Sequence, residues 1–481
     1  METSGGSSQI RRRPGSRWLP LAAGLLAAHF LLPAKASLNE IPDLRPPERE
    51  AARVSQAIYE ELREMGEERA LPEDQQALFD KLEELVHTAN ELLMEEEDQR
   101  FGPTDRSLQI DMDGLRLALD WVSNSEASSG SGVTMGAAHV QFPQAARRMA
   151  ALQASGAGIA RAGRQPSGDD DVLSLVRRDA SLGGGASADL VTPWGFFVNV
   201  DYSLVDHDRT AQENAFEIDH YGLTLGLDYR WTHATVIGGS VGFARADLDF
   251  AEKGGFDGGG MDVDGYNVSA YLIHDVGDFY FNGMVTLGWM DFDLTRNITY
   301  ESNNPNVPDT NNTAVSSTDG NHYLISLGTG YQYDMRPTTF TPFARFDVLR
   351  AEIDGYRESD GGPFNLEVDS QTIRSARSTL GFDVTRPIST GFGVLIPRTS
   401  AEWHHEFRDT NPEVGSRFVA DPTGTTFFSP GDDTDRNFAS LSGSLSVILP
   451  RGIQAFAEAR TIFGLSNTSV YSFTAGLRGE F

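Results

Sequence analysis

The 481-residue chain contains no cysteine. That absence excludes a disulfide, a thiolate nucleophile and any Cys-ligated zinc. It also fits export, because a chain crossing a periplasm unfolded has no premature disulfide to trap it. Long apolar runs are missing too: none reaches the ~18 residues a spanning helix needs. With a mean hydropathy of −0.33, a helical membrane protein is excluded. A membrane barrel is not, because its strands are only ~10 residues of alternating character and barely register in hydropathy. Cations are scarce, with 39 Lys and Arg against 69 Asp and Glu and a net charge of −30. Phosphate binding needs clustered Lys and Arg, so no nucleic-acid partner is expected. There is no Walker A loop to bind a nucleotide. No repeat of 20–50 residues precedes residue 190, which excludes a β-helix stalk.

What is present begins with an export signal. Arg11, Arg12, Arg13 and Arg17 form a basic head, and residues 19–32 form an apolar core too short to span comfortably. Ala34-Lys35-Ala36 then gives a small-x-small cleavage pattern, predicting a cut after Ala36. Helical periodicity follows. Over residues 47–65 apolar side chains fall at Val54, Ile58, Leu62 and Met65. Over residues 74–94 they fall at Leu78, Leu82, Leu85, Val86, Ala89, Leu92 and Leu93. Pro47 and Pro72 stand where helices start. A third short helix is expected at residues 115–122. Together these predict a small acidic helical region over 37–136. Residues 123–136 read as a Ser/Gly linker, with further helix candidates at 144–153 and 172–178 before the Gly183-Gly184-Gly185 run.

From Trp194 onward the period switches to two. The first strand places Trp194, Phe196, Val198, Val200, Tyr202 and Leu204 on one face and Asn199, Asp201 and Ser203 on the other. Eleven more segments read the same way, down to 471–481, which ends on Phe481. Aromatics gather near strand ends, as interface girdles require. Tight connections near 232–233, 276–278, 334–337, 387–389 and 450–452 alternate with long polar ones near 206–217, 251–261, 301–320, 355–366 and 411–434. Short turns on one rim and long loops on the other is the outer-membrane arrangement. The expected fold is α+β: a twelve-stranded antiparallel transmembrane β-barrel over residues 191–481, preceded by a small helical region. The lipid bilayer is then a partner.

Candidate chemistry is sparse. Gly238-Gly239-Ser240-Val241-Gly242 has nucleophile-elbow spacing but lies inside a strand rather than at a strand-to-helix turn. No Gly-Asp-Ser-Leu lipase segment occurs. Glu402, His404 and Glu406 share one strand face, and face inward if Trp403 and Phe407 face lipid. They read as a polar lumen network with Arg398, Glu458, Arg460 and Arg478, since buried charges must be paired. A metal or acid–base cluster is the lesser reading. Asp257, Asp262 and Asp264 are placed in one Gly-rich loop, and Asp432, Asp433 and Asp435 in another. Both sets are expected to be solvated loop tips rather than calcium sites. No cofactor is expected.

Signal segment, variable amino-terminal region, Gly-rich linker and carboxy-terminal barrel together resemble an autotransporter of the type V secretion class. Ile396-Pro397-Arg398 through Ala401-Glu402-Trp403-His404-His405-Glu406-Phe407 resembles that family's ninth-strand pattern. Gly476-Leu477-Arg478 through Phe481 resembles its last-strand signal, from which Gly479 departs by lacking a hydrophobic side chain. The resemblance covers residues 190–481. It implies that Tyr471, Phe473, Leu477 and Phe481 form the address read by the barrel-assembly machinery, with periplasmic chaperones as further partners. It also implies the organisation 1–36 signal, 37–136 passenger, 137–190 linker with a lumen helix, and 191–481 barrel. The leading expectation is a barrel that translocates or displays its own helical region. The alternatives are an outer-membrane hydrolase or protease, and a channel or adhesin with a periplasmic helical region.

Overall fold

The computed structural model describes residues 37–93, 105–126, 193–408, 413–449 and 453–480. The export signal with Ala34 and Ala36, the helices expected at 144–153 and 172–178, the linker and Phe481 lie outside the described residues.

Twelve long strands form the main sheet. They are β1 (Trp194–His207), β2 (Phe216–Thr232), β3 (Thr235–Phe250), β4 (Gly259–Val276), β5 (Phe279–Tyr300) and β6 (Thr310–Tyr331). They continue as β7 (Thr338–Ile353), β8 (Gln371–Thr385), β9 (Gly393–Glu406), β10 (Asn437–Ile448), β11 (Gln454–Phe463) and β12 (Thr468–Glu480). Each pairs antiparallel with the next. β12 pairs back onto β1, from Gly195 opposite Glu480 to His207 opposite Thr468. The sheet is therefore a closed barrel with the expected strand number, and closure removes the edges that would otherwise pair with other chains.

Alternation dictates which face each residue takes. On β1, Trp194, Phe196, Val200 and Leu204 are exposed outward, while Asn199, Asp201 and Ser203 are buried inward. Outward aromatics form two bands, as shown by Trp194 against Tyr229 and by Tyr202 against Tyr221. Trp194 and Tyr202 are eight residues apart on β1, roughly 26 Å of strand at about 3.3 Å per residue. A tilt of about 40° projects that to roughly 20 Å, close to an apolar membrane band.

Beyond the upper band the polarity reverses. Glu217, Asp249, Asp291 and Asp293 point outward, while Leu248, Met261, Phe292 and Ile353 point inward into an apolar collar. The strands thus continue past the apolar band as a water-facing cylinder. Two expectations are corrected by this extension. Asp262 and Asp264 are not in a loop with Asp257; they belong to β4, opposite Asp247 and Arg245 of β3. The loop expected at 301–320 ends at residue 309, because β6 already begins at Thr310.

The Gly238–Gly242 segment lies within β3 and makes no elbow. Gly238 has a packing reason: the Tyr271 ring of β4 fills the space its Cβ would take.

Among the described residues, three helices precede the barrel: α1 (Pro46–Glu68), α2 (Glu73–Leu93) and α3 (Met112–Val122). Pro46 and Pro47 open α1, where a missing N–H costs nothing. The Arg45 N–H donates to Glu48 Oε2 at 2.9 Å, satisfying a donor at the helix start. Asp111 caps α3 by accepting from the Gly114 N–H at 2.8 Å. The apolar faces are the ones periodicity picks out: Val54, Ile58 and Leu62 on α1, and Leu78, Leu82, Leu85 and Ala89 on α2, are fully buried.

The helices do not close a core among themselves. The long connections after β7 and β9 contribute short strands Tyr356–Arg357, Leu366–Val368, Glu413–Phe418 and Phe427–Pro430, which pair into a second, four-stranded sheet at the long-loop rim. Phe364, Leu366, Phe418 and Phe427 from this region, with Ile298 and Tyr300 at the end of β5, share one buried core with α1, α2 and α3. α1 lies against Phe427–Pro430 and α3 against β5.

Candidate functional site

Among the described residues, two regions concentrate buried charge: the interface between helices and rim, and the wall of the lumen.

At the interface, the last turn of α3 carries Asp120, which is 1% exposed. Its carboxylate accepts from Arg45 at 2.6 Å and from Arg209 of the β1–β2 connection at 2.7 Å. Lys253, from the β3–β4 connection and 3% exposed, pairs with Glu126 and lies 3.8 Å from Asp120. Its ammonium also sits 4.7 Å from the centre of the Trp121 ring, a cation–π contact. Asn214 donates to Ser125 at 2.6 Å and to Glu126 at 3.1 Å. Arg296, near the end of β5, forks onto Glu358 at 2.9 and 2.7 Å and donates to the carbonyls of Trp121 and Phe364. Gly254 takes φ +60° beside α3, and a Cβ there would meet Leu117 at 2.5 Å. The buried pairs favour one docking geometry, because each would be costly to break.

None of these interface residues was singled out in the sequence. Asp120 lies in the last turn of an amphipathic helix, and Arg209 and Lys253 sit in polar loops, so no local pattern marks them. The available signal was a scarcity: few cations occur in this acidic chain, so each one in a loop deserved a partner.

In the lumen, residues along and just after β9 alternate in exposure. Trp403 and Phe407 are exposed outward, while His404 and Glu406 are buried. Arg460 of β11 donates to Glu402 at 3.1 Å and to Ser440 at 2.7 Å. Arg345 of β7 lies 3.8 Å from Glu402 and donates to Asp347 at 2.9 Å. His404 Nδ1 lies 3.0 Å from the Thr379 hydroxyl and Nε2 lies 3.0 Å from the Ser440 hydroxyl.

The other expected members fall beside this group rather than in it. Arg398 donates to Asp383 at 2.7 Å. Glu406 accepts from the Ser375 hydroxyl at 2.5 Å and the Ala376 N–H at 2.8 Å. Arg478 lies 3.6 Å from Asp228, to which Tyr271 also donates. Glu458 is buried on the same wall. Arg345, Asp347 and Asp383 were missed, although Arg345-Phe346-Asp347 carries the same in-out-in alternation that exposed Glu402 and His404. As a catalytic set the cluster is poorly arranged: both His404 nitrogens are already within hydrogen-bonding distance of hydroxyls, and Glu402 is held by guanidinium.

A closed twelve-stranded barrel with an apolar outer band, a polar inner wall, short turns on one rim and long loops on the other is an outer-membrane β-barrel. The family profile of the autotransporter beta-domain matches residues 196–460, more than half of the chain, and the protein belongs to the autotransporter family. It is 23% identical to Lipase 1 of Photorhabdus luminescens, over 54% of this chain and 38% of that protein. To Esterase EstA of Pseudomonas aeruginosa it is 26% identical, over 40% of this chain and 28% of that protein. The chain thus spans less than two-fifths of the curated relatives it matches. Among solved structures, the translocator domain of NalP from Neisseria meningitidis superposes with a TM-score of 0.47 at 13% identity, covering 64% of this chain and 95% of that one. The beta domain of the Bordetella autotransporter BrkA gives 0.44 at 18% identity, covering 60% and 100%.

Proposed function

We propose that this outer-membrane barrel carries its own helical region, residues 37–126, as a docked cap on the cell-surface rim, with the connecting chain passing through the lumen. One observation carries the reading. Glu126 is held at the long-loop rim by Lys253 and Asn214. The Pro193 carbonyl, next to Trp194 of the aromatic band farther from that rim, accepts from the Arg230 N–H at 2.8 Å near the opposite rim. In this reading the chain between them travels the height of the barrel. A path along the outside would leave backbone groups unpaired in lipid. A twelve-stranded lumen is wider than the filled eight-stranded kind. Arg398, Glu402, Arg460 and Arg478 line that route, and in this reading they contact the passing segment. Docking of the helices against the rim supplies the bias for outward movement, since no nucleotide motif is present to power it. The outward row Tyr471, Phe473 and Leu477 of β12, each at least half exposed, is the surface this reading gives to the assembly machinery.

The absence of cysteine makes the test direct. Glu67, exposed on α1, and His233, exposed in the β2–β3 turn, are replaced singly by cysteine. In intact cells a membrane-impermeant maleimide is expected to label Glu67→Cys. His233→Cys is expected to react only after the outer membrane is opened. The reverse pattern would place the helical region in the periplasm and overturn the proposal.

A further inference from the structure

We propose that His207, Glu213 and Asp432 form a divalent transition-metal site, of the zinc class, that staples the long-loop rim. His207 ends β1, Glu213 lies in the connection to β2, and Asp432 lies in the long connection between β9 and β10. These segments are far apart in sequence, yet one donor atom from each residue falls within 4.8 Å of the others. His207 Nε2 is 3.4 Å from Glu213 Oε2 and 3.6 Å from Asp432 Oδ2. Metal–nitrogen and metal–oxygen bonds of about 2.0–2.1 Å in a tetrahedron set ligands roughly 3.3 Å apart, so the two spacings from His207 need little adjustment.

The histidine points to a ligand rather than to a mere ion pair. It is 7% exposed, and its Nε2 has no hydrogen-bond partner. The other nitrogen, Nδ1, lies 2.9 Å from the Thr468 hydroxyl, and the ring stacks on Phe216 with centroids 4.7 Å apart. Orientation is therefore fixed with Nε2 aimed between the two carboxylates. Those carboxylates are themselves oriented by their second oxygens. Asp432 Oδ1 accepts from the Thr210 hydroxyl at 2.8 Å, and Glu213 Oε1 accepts from the Asp432 N–H at 3.2 Å. Outer contacts of this kind are what hold metal ligands in place. Asp432 was expected to be a solvated loop tip, but its side chain is only 27% exposed. One imidazole with two carboxylates suits zinc, cobalt or manganese better than calcium or magnesium, which take oxygen alone. The fourth position would be left to water on the Asp432 side.

The location gives the site a role. Arg209 and Asn214, on the same connection as Glu213, hold Asp120, Ser125 and Glu126 of the helical region. A bound ion would tie the β9–β10 connection to the segment that grips the helices, and so stiffen the socket of the cap.

The test uses full-length, untagged protein refolded in detergent and stripped with chelator. Zinc chloride is titrated by calorimetry, and cobalt chloride by visible absorption. One equivalent per chain is expected, with cobalt giving the intense bands of tetrahedral coordination. His207→Ala is expected to abolish both signals, Asp432→Asn to weaken binding at least tenfold, and Thr468→Val to weaken it about tenfold through lost orientation. Heat-modifiable gel mobility reports that each variant is folded, and Asp432→Asn serves if His207→Ala is not. Equal binding by wild type and folded variants, calcium binding in place of cobalt, or no binding at all would overturn the proposal.

Discussion

Asp120 at the end of α3 and Arg209 in the connection after β1 meet at 2.7 Å, joining the helical region to the barrel through a carboxylate that solvent barely reaches. Because Arg45 and Lys253 converge on the same group, removing it leaves three cations facing one another. Asp120→Ala is expected to weaken docking by about 3 kcal/mol, the usual cost of breaking one side of a buried pair. Hydrogen exchange of α1–α3 amides in the folded barrel measures it. The helices should open while the β-strand amides stay protected. Unchanged protection of the helices would show that apolar contacts alone hold the cap.

The contrast between what was and was not legible follows from range. Trp194, Phe196 and Val200 declare their face through their neighbours two residues away, so strand number, closure and outward face could be read from period two. Val54, Ile58 and Leu62 declare a helix face in the same local way. What that face packs on is a different matter. Phe364, Phe418 and Phe427 lie hundreds of residues downstream in segments that look like polar loops, and only the closed barrel brings them under the helices. The polarity reversal was hidden for a related reason. Asp262 and Asp264, flanked by glycines, match a loop composition, yet pairing with β3 and β5 carries them as strand. His207, Glu213 and Asp432 have no shared sequence window at all.

The reversed section also makes a row of like charges. Asp219, Asp247, Asp262 and Asp293 stand opposite one another across β2 to β5, and Arg245 answers them at 2.7 Å from Asp247 and 3.5 Å from Asp262. Like charges directly opposite destabilise a sheet by about 0.2–1 kcal/mol per pair. Asp262→Asn is therefore expected to raise the urea midpoint of the folded barrel, and Arg245→Ala to lower it. Both shifts should shrink in high salt, because these groups are exposed. A lower midpoint for Asp262→Asn would mean its carboxylate is more a partner of Arg245 than a neighbour of Asp247.

Glu84 on α2 gives docking a pH dependence. Burial pushes its carboxyl above the usual carboxylate range, against the opposing pull of Lys81, whose ammonium lies 2.8 Å away. The group therefore binds its proton more tightly in the folded state than in the unfolded one. Its contribution is fully present below the unfolded pKa and is lost as pH rises through the folded value. Helix protection, corrected for intrinsic exchange, should be greater at mildly acidic pH than at pH 8. Glu84→Gln should flatten that slope and leave the helices more protected at pH 8. A slope unchanged in Glu84→Gln would assign the dependence to another group.

Inside the barrel, Glu402 is the carboxylate on which Arg460 and Arg345 converge, at 3.1 and 3.8 Å. Three strands, β7, β9 and β11, are thereby linked across the wall. Glu402→Ala strips the charge and leaves two guanidinium groups close together, which is expected to cost about 3 kcal/mol. Glu402→Gln keeps an acceptor for Arg460 and should cost less. The double variant Glu402→Gln/Arg460→Gln should recover part of the loss, because it removes charge of both signs. The midpoint of the heat-modifiable transition in detergent reads all three. If Glu402 served instead as a catalytic carboxylate, Glu402→Ala would leave that midpoint nearly unchanged, since a group held for chemistry contributes little to holding strands together. A large fall in Glu402→Ala with partial rescue in the double variant identifies the cluster as a brace of the wall.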